Sequence, residues 1–323
     1  MFTNTMAQQI SPTPEQRKRT PRLAIAALLF GATNMAIGSI LVRISEVGPT
    51  ASAFWRVALA CPLLALTAQI TKPRNVEGDL SDTGREKRIC ILAGLFFAGD
   101  LGFWHYSLVW TSITNATLLT NLSPIFVVIG GWLVFRQRVS KMFLAGLVLA
   151  VGGMSALMRA SFHVDSQHLV GDGMGLVSAV FYGGYLLSIK RARRRFSAVR
   201  TLAWSSLGTA LVLLPATLFL GEVWLPRTTR GWSIVLSLSL VAQMGGQGMV
   251  AFALAHLPAA FSSVTLLFQP AVAAVLAWWL LREPVGSGQI LGAMATLAGI
   301  WLARRGSDLN ASGSTVRHSD SAR

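Results

Sequence analysis

One acidic residue stands in the middle of a long apolar run, at Asp100 in the stretch LFFAGDLGFWHY. A charged side chain at the centre of a membrane helix costs roughly 2.5–3.5 kcal/mol, so it normally faces the interior of a helix bundle or a water-filled cavity. There Asp100 could bind a proton or the ammonium group of a substrate, and Trp104, one helical turn further on, shares its face. The alternative is a structural role, in which a protonated Asp100 forms a hydrogen bond to a neighbouring helix.

Two prolines, Pro124 and Pro270, interrupt other apolar runs just after a series of polar residues. Proline removes one backbone donor and frees the carbonyl four residues earlier. A membrane helix tolerates such a carbonyl where side chains, water or a cavity satisfy it. The polar residues before the two prolines are Asn115, Thr117, Thr120, Asn121 and Ser123, and Ser262, Ser263, Thr265 and Gln269. Two interrupted, polar helices predict the lining of a substrate cavity, and packing bends without a cavity are the alternative.

Amide and phenol side chains supply further candidates for a polar cavity. Gln243 and Gln247 are one turn apart and could hold a polar substrate, or could simply bond one helix to another. Asn34, Tyr182 and Tyr185 also lie in apolar runs, although buried aromatic residues most often only pack. We include all five as candidate substrate-binding residues.

Two basic residues inside apolar runs, Arg56 and His105, require separate interpretations. Arg56 lies about one turn into its run, where it could extend to the lipid head groups or reach inward to an anionic group. His105 is about 140° around the helix from Asp100, because each residue turns the helix by about 100°. The two side chains therefore cannot point at one spot. His105 could titrate near neutrality and shuttle protons, and the alternative, which we favour, is a hydrogen-bonded contact with a neighbouring helix near the outer interface.

The elements that position these residues follow from the composition. The 323-residue chain is 53% hydrophobic and 13% charged, with a mean hydropathy of +0.55, whereas soluble proteins carry about 25% charged residues. A helix needs about 20 apolar residues to cross a bilayer. The stretches that qualify are 23–42, 51–70, 89–109, 113–135, 142–159, 170–189, 201–220, 232–254, 259–281 and 288–303. The sequence therefore predicts an all-α integral membrane protein with ten transmembrane helices.

The ten predicted helices divide into two related halves. The stretch 116–153 aligns without a gap with 262–299, at an offset of 146 residues, and six positions are identical, including the two prolines. Each half holds five spans, an odd number, so the second half enters the membrane in the opposite orientation. Inverted repeats are typical of secondary transporters, which hold the substrate near the midplane between the halves.

The distribution of Lys and Arg predicts the orientation. With a cytoplasmic N-terminus, the inner segments hold 22 of the 28 Lys and Arg residues and the outer segments hold five, so the positive-inside rule places both termini in the cytoplasm. Lipid head groups then account for the net charge of +15 without a nucleic acid partner. We predict a protein of the cell inner (plasma) membrane. Its segments are a basic cytoplasmic N-terminus (1–22), a first repeat (23–159), a second repeat (170–303) and a disordered cytoplasmic tail (306–323).

Several motifs indicate a family. Phe54-Trp55-Arg56 opens the second span, Thr111-Ser112 precedes the fourth, and a turn and a Gly-rich helix follow each proline helix. In these features the chain, over about residues 22–305, resembles the EamA type of the drug/metabolite transporter superfamily, which has two EamA repeats. Leu281-Arg282-Glu283-Pro284 matches the family's usual Glu, whereas Gln137 occupies that position in the first repeat, which favours a structural role for the acid. The resemblance implies an exporter of amino acids or other metabolites.

The motifs of several other functions are missing from the sequence. It has no GxxxxGK[ST] motif for ATP, no HExxH motif and no cluster of Cys and His, so we expect no cofactor and no metal site. We predict a secondary transporter of a small molecule that works by alternating access, with Asp100 as the candidate for proton coupling. An uncoupled facilitator and a membrane sensor or assembly protein without flux are the alternatives. An intramembrane enzyme is disfavoured because the spans hold few ionisable residues.

Overall fold

The fold is a bundle of membrane helices. The computed structural model describes residues 14–70, 83–111, 113–158, 169–281 and 286–320, and within these ranges it contains no β-strand. Eight helical segments are long and apolar enough to cross a bilayer: Pro21–Arg43, Pro49–Ile70, Lys87–Trp110, Asn115–Phe135, Lys141–Met158, Leu169–Ala192, Ala198–Phe219 and Thr229–His256. Their bounds agree within three residues with the first eight predicted spans. The prediction of an all-α membrane protein is therefore confirmed.

The helices are numbered here in chain order. The first half contains α1 (Pro14–Arg43), α2 (Pro49–Ala58), α3 (Ala60–Ile70), α4 (Thr83–Trp110), α5 (Ile113–Thr120), α6 (Ser123–Phe135) and α7 (Lys141–Met158). The second half contains α8 (Leu169–Ala192), α9 (Ala198–Phe219), α10 (Thr229–Ser237), a π-helical segment (Leu238–Gln247), α11 (Gly248–His256), α12 (Ala259–Thr265), α13 (Phe268–Leu281) and α14 (Ser287–Asp320). Helices prevail because a helix satisfies its backbone hydrogen bonds internally, as the bilayer requires.

The ninth and tenth spans differ from the other eight. The ninth consists of two shorter helices, α12 and α13, which are separated just before Pro270 because proline cannot continue the backbone hydrogen bonds. The tenth is the first part of α14, whose apolar stretch ends at Arg304 and Arg305. α14 belongs to the bundle nonetheless, because it packs lengthwise against α7. The packing of α14 against α7 agrees with a tenth span, and the opposite orientation of the second half stays a prediction.

Glycines bring α7 and α14 into backbone contact. A methyl group built on Gly146 would lie 2.3 Å from the backbone nitrogen of Ala303, and one on Gly153 would lie 2.4 Å from that of Thr296. From the other side, a methyl group on Gly299 would lie 2.7 Å from the carbonyl oxygen of Gly146. Small residues permit such close approach between membrane helices. Because α7 closes the first repeat and α14 closes the second, this contact holds the two halves together.

We expect the substitution Gly153→Val to destabilise the protein by roughly 1–3 kcal/mol, because its methyl groups would overlap the backbone of α14. The measurement is the fraction of protein in detergent that remains monodisperse on size exclusion after heating. Gly152→Val is the matched control, since a side chain at that position meets no atom within 4 Å. Equal midpoints for the two variants would contradict the α7–α14 contact.

Two glutamates connect the halves at the membrane face where α1 ends and α2 begins. The Glu222 carboxylate, between α9 and α10, accepts hydrogen bonds from the Thr50 N–H (3.0 Å), the Thr50 hydroxyl (3.1 Å) and the Ala51 N–H (3.2 Å). Glu46, between α1 and α2, accepts hydrogen bonds from the hydroxyl and the N–H of Thr228, and the hydroxyl bond lowers the pKa of the Glu46 carboxyl. A glutamate of each half therefore binds the N-terminus of a helix of the other, where negative charge is favoured.

The last helix, α14, continues to Asp320, beyond its apolar stretch. The disordered cytoplasmic tail over 306–323 stays a prediction. A helix that already crosses the membrane needs no new nucleus to extend, because each added residue gains a backbone hydrogen bond. Parts of the predicted segments and motifs, at residues 1–13, 71–82, 112, 159–168, 282–285 and 321–323, lie outside the described ranges.

Candidate functional site

A polar cavity of about 70 Å³ lies between the two halves, with room for a few water molecules. The first half contributes Met35, Ser39, Arg56, Phe97, Asp100, Leu101, Trp104, Thr117, Thr120, Asn121 and Ser123 to its wall, and the second half contributes Tyr182, Gln247, Ser263, Leu266, Leu267 and Gln269. Both repeats therefore form the wall, which is the arrangement found in transporters built from inverted repeats.

Asp100 of α4 faces this cavity and is 6% exposed. Its Oδ1 accepts a hydrogen bond of 2.7 Å from the Ser178 hydroxyl of α8. The Thr120 hydroxyl, at the end of α5, donates in turn to Ser178 Oγ at 3.4 Å. Asp100 thus contacts a neighbouring helix and the cavity at once, so the structural and the functional interpretations of this residue do not exclude each other.

Arg56 of α2 turns into the bundle and is also 6% exposed. Its Nε donates a hydrogen bond to Gln243 Oε1 (3.3 Å), and its guanidinium carbon lies 5.6 Å from the centroid of the Phe97 ring. An amide oxygen and an aromatic face both stabilise a cation away from water. The sequence left open whether Arg56 extends to the lipid head groups or reaches inward, and in the structure it reaches inward.

The cavity wall therefore carries one basic and one acidic side chain. Among the residues that the structure describes, no ion pair within 4.0 Å joins Arg56 to Asp100, although both line the cavity. Each group has neutral partners, Ser178 for Asp100 and Gln243 for Arg56, and neither has an oppositely charged partner within that distance. A zwitterionic molecule between them could contact both groups at once.

The π-helical segment positions the two glutamines differently. Gln243 is fully buried, accepts the bond from Arg56 and donates to the Ser206 hydroxyl (3.0 Å). Gln247 lines the cavity, and its Oε1 is a buried acceptor without a hydrogen-bond partner in the described part of the chain. Such an atom costs about 1–3 kcal/mol, which a donor on a bound ligand would recover. Segments of π-helix frequently occur at functional sites.

Both proline helices are interrupted beside the cavity. α5 ends at Thr120 and α6 begins at Ser123, one residue before Pro124. α12 ends at Thr265 and α13 begins at Phe268, two residues before Pro270. The polar residues at the two breaks that line the cavity are Thr117, Thr120, Asn121, Ser123, Ser263 and Gln269. The two prolines are not part of the wall themselves. They end the helices, so that polar side chains and backbone groups meet the cavity instead of lipid.

The candidate residues from the sequence that line the cavity are Arg56, Asp100, Trp104, Asn121, Tyr182, Gln247 and Gln269. Three others do not reach it. The side chain of Asn34 donates to the carbonyl of Phe30 in its own helix (2.9 Å), which is a common alternative for a helical Asn. Gln243 lies behind Arg56. Tyr185 is buried and stacks on Phe97 with ring centroids 4.6 Å apart, so it supports the wall from outside.

The wall also contains residues that sequence reasoning missed. Met35 and Ser39 of α1 line the cavity, and Met35 Sδ lies 4.0 Å from the Tyr182 hydroxyl and 3.9 Å from Gln247 Nε2. Neither residue type is unusual in a membrane helix, so composition did not mark them. Their spacing of four residues places them on one helix face. This spacing is the feature of the sequence that could have predicted their common position in the wall.

His105 lies outside the cavity. Its Nδ1 is 2.6 Å from the carbonyl oxygen of Leu101 in its own helix, and its Nε2 is 3.5 Å from the Ser52 hydroxyl of α2. The imidazole therefore joins α4 to α2. This agrees with the angular separation from Asp100 that the helical period predicted.

The fold and this site define a class of protein, a multi-pass membrane protein with a polar cavity between two helical repeats, which is the plan of secondary transporters. The pattern of the EamA-like transporter family matches the chain twice, over residues 22–159 and 169–305. The chain therefore belongs to the EamA-like transporter family.

Two relatives of the chain are named as exporters. The chain is 24% identical over 243 residues to the pseudopaline exporter CntI of Pseudomonas aeruginosa, a match that covers 75% of this chain and 81% of that protein. It is 24% identical over 192 residues to the probable terminal-alkyne amino-acid exporter of Streptantibioticus cattleyicolor, covering 59% of this chain and 64% of the relative. A solved crystal structure, 16% identical, superposes with a TM-score of 0.72 over 89% of this chain and 97% of that one, which shows a shared fold.

Proposed function

We propose that the chain exports amino acids or other small zwitterionic metabolites by alternating access. The observation that carries this proposal is the cavity between the repeats, which is lined by Arg56 and Asp100 without a direct ion pair between them. A guanidinium group fits a carboxylate through charge-assisted hydrogen bonds, and a carboxylate fits an ammonium group. An amino acid carries both complementary groups on one carbon atom.

The small volume of the cavity supports a mechanism in which the halves move. At about 70 Å³ the cavity is well below the roughly 300–1,000 Å³ of typical ligand pockets, so a metabolite enters only when the lining helices separate. The breaks between α5 and α6 and between α12 and α13 are suitable hinges, because hinge residues lie at the ends of elements. Opening toward one face and then the other moves the substrate across.

Proton coupling follows if substrate and proton compete for Asp100. The ionised carboxylate would bind the substrate ammonium, and protonation from the acidic side would release it. The carrier would then return with a proton, so that an inward proton gradient drives export. Ser178 can donate to Asp100 Oδ1 in either protonation state, which would keep α4 and α8 together throughout the cycle.

The relatives and the charge distribution support the direction and the location. One relative is an exporter of pseudopaline and another is a probable exporter of a terminal-alkyne amino acid, and an amino acid carries carboxylate and amine groups. We place the chain in the cell inner (plasma) membrane with both termini in the cytoplasm, since 22 of its 28 Lys and Arg residues then lie inside.

The test is counterflow in proteoliposomes that contain the purified chain. Vesicles are loaded with one unlabelled compound from a panel of amino acids and small metabolites, and entry of the labelled compound is followed with and without an acidic interior. We expect at least one zwitterion to exchange and to accumulate against its gradient when the interior is acidic. Exchange that ignores the pH gradient would make the chain a facilitator, and exchange of anions or cations alone would rule out the zwitterion.

A further inference from the structure

A second groove, of about 570 Å³, lies on the outer surface of the bundle between α3, α4 and α9. It shares no lining residue with the central cavity. Cys61 and Ala65 of α3 are one turn apart, and Trp204 and Leu207 of α9 are three residues apart, so one stripe of each helix forms a wall. Ala65 and Leu207 are exposed, which in a membrane protein means that the groove opens to lipid.

The groove is basic at one end and apolar in its depth. Gln69 at the end of α3, Lys87 near the start of α4 and Arg200 in the first turn of α9 all line it, so these helix ends meet at one membrane face. Cys61 precedes Gln69 by eight residues and Leu207 follows Arg200 by seven, which at 1.5 Å per residue places both roughly 10–12 Å deeper. The groove thus has the polarity of a lipid, with a charged end and an apolar length.

The basic end is positioned by specific contacts. Lys87 Nζ lies 5.3 Å from the centroid of the Trp204 ring, a cation–π contact that holds the ammonium group over the groove. Ser197 caps α9 by accepting a hydrogen bond from the Arg200 N–H (3.3 Å). Among the residues that the structure describes, no acidic side chain lines the groove beside these two cations.

We infer that this groove binds an anionic phospholipid, with the phosphate between Lys87 and Arg200 and one acyl chain along Ala65 and Leu207. The charge argues for the anionic head group, since basic pockets between membrane helices on the cytoplasmic side bind such lipids. The apolar depth argues for the acyl chain, because a soluble anion would leave that surface uncovered. The site is independent of the transported substrate.

The experiment is native mass spectrometry of the full chain released from mixed micelles with equal amounts of phosphatidylglycerol and phosphatidylcholine. We expect the wild-type chain to retain phosphatidylglycerol preferentially. Removing both cations, in Lys87→Gln with Arg200→Gln, is expected to lower the apparent affinity for phosphatidylglycerol about 25-fold, at roughly fivefold per cation. The matched control is Arg191→Gln with Arg194→Gln, which removes two exposed cations near the end of α8 outside the groove.

A third variant, Ala65→Trp, tests the acyl chain separately because it fills the groove and leaves both cations in place. We expect it to reduce phosphatidylglycerol retention as strongly as the double substitution, and we expect millimolar inorganic phosphate not to compete. Equal retention of the two lipids by the wild-type chain, or an equal loss in the Arg191/Arg194 control, would overturn the proposal. Loss in the cation variant without loss in Ala65→Trp would overturn the groove as the place of binding.

Discussion

The substitution Asp100→Asn is expected to abolish accumulation of substrate against its gradient while exchange of substrate across the membrane continues. If one proton is exchanged per substrate molecule, each pH unit supplies about 1.36 kcal/mol, which corresponds to a tenfold ratio of substrate concentrations. A gradient of two pH units therefore sustains about a 100-fold accumulation of substrate. The amide of Asn cannot carry a proton at these pH values, so we expect the ratio to fall to about one. The amide oxygen can still accept from Ser178, which preserves the contact of α4 with α8.

Counterflow and accumulation must be measured on the same vesicles, because they separate the two possible roles of Asp100. Retained exchange with a raised KM and no accumulation is the expected result, since the ammonium loses a charged partner and the proton loses its carrier. Asp172→Asn is the matched control: this acid bonds Thr111 and Asn115 outside the cavity. Normal accumulation by Asp100→Asn would show that the contact with Ser178 is the whole role of the carboxylate.

The membrane architecture was predictable because it depends on local composition. Each span is set by about 20 consecutive apolar residues, and the first eight agree within three residues with the structure. The breaks before Pro124 and Pro270 follow from the chemistry of proline itself. Asp100 was identifiable because a buried acid is costly enough in a bilayer to require a cavity or a partner, and it has both.

The details of the site were less predictable because they depend on contacts between distant segments. Hydropathy cannot distinguish a π-helix from an α-helix, so the different positions of Gln243 and Gln247 were not accessible from their spacing. Arg56 illustrates the same limit, since its direction is decided by Gln243, 187 residues further along the chain.

The architecture places the two charges of the cavity on the first repeat alone, which makes the two halves chemically unequal. Arg56 and Asp100 belong to α2 and α4, while the second half faces them with neutral polar groups such as Tyr182 and Gln247. The two halves also differ at corresponding positions. At the repeat offset of 146 residues, Gln243 and Gln247 of the second half correspond to the apolar Phe97 and Leu101 of the first. The charged side chains of the cavity wall therefore belong to one half alone.

The substitution Arg56→Gln is expected to remove recognition of the substrate carboxylate. Charged hydrogen bonds contribute about 1.5–3 kcal/mol, so we expect the KM for the exchanged zwitterion to rise roughly 10–100-fold. The measurement is the selectivity of exchange, because loss of a purely structural role of Arg56 would not change it. Wild type should prefer the zwitterion over the analogue that lacks the carboxylate, and Arg56→Gln should lose that preference.

Two further variants make the experiment on Arg56 decisive. Arg56→Lys keeps the charge but not the paired donors of guanidinium, so we expect partial recovery of the preference. Arg43→Gln removes an exposed cation at the end of α1 and is expected to leave selectivity unchanged. If Arg56→Gln lowers exchange of the zwitterion and of the amine analogue by the same factor, Arg56 supports Gln243 and Phe97 instead of binding substrate. An unequal loss, greatest for the zwitterion, assigns the guanidinium to the carboxylate and leaves Asp100 for the ammonium and the proton.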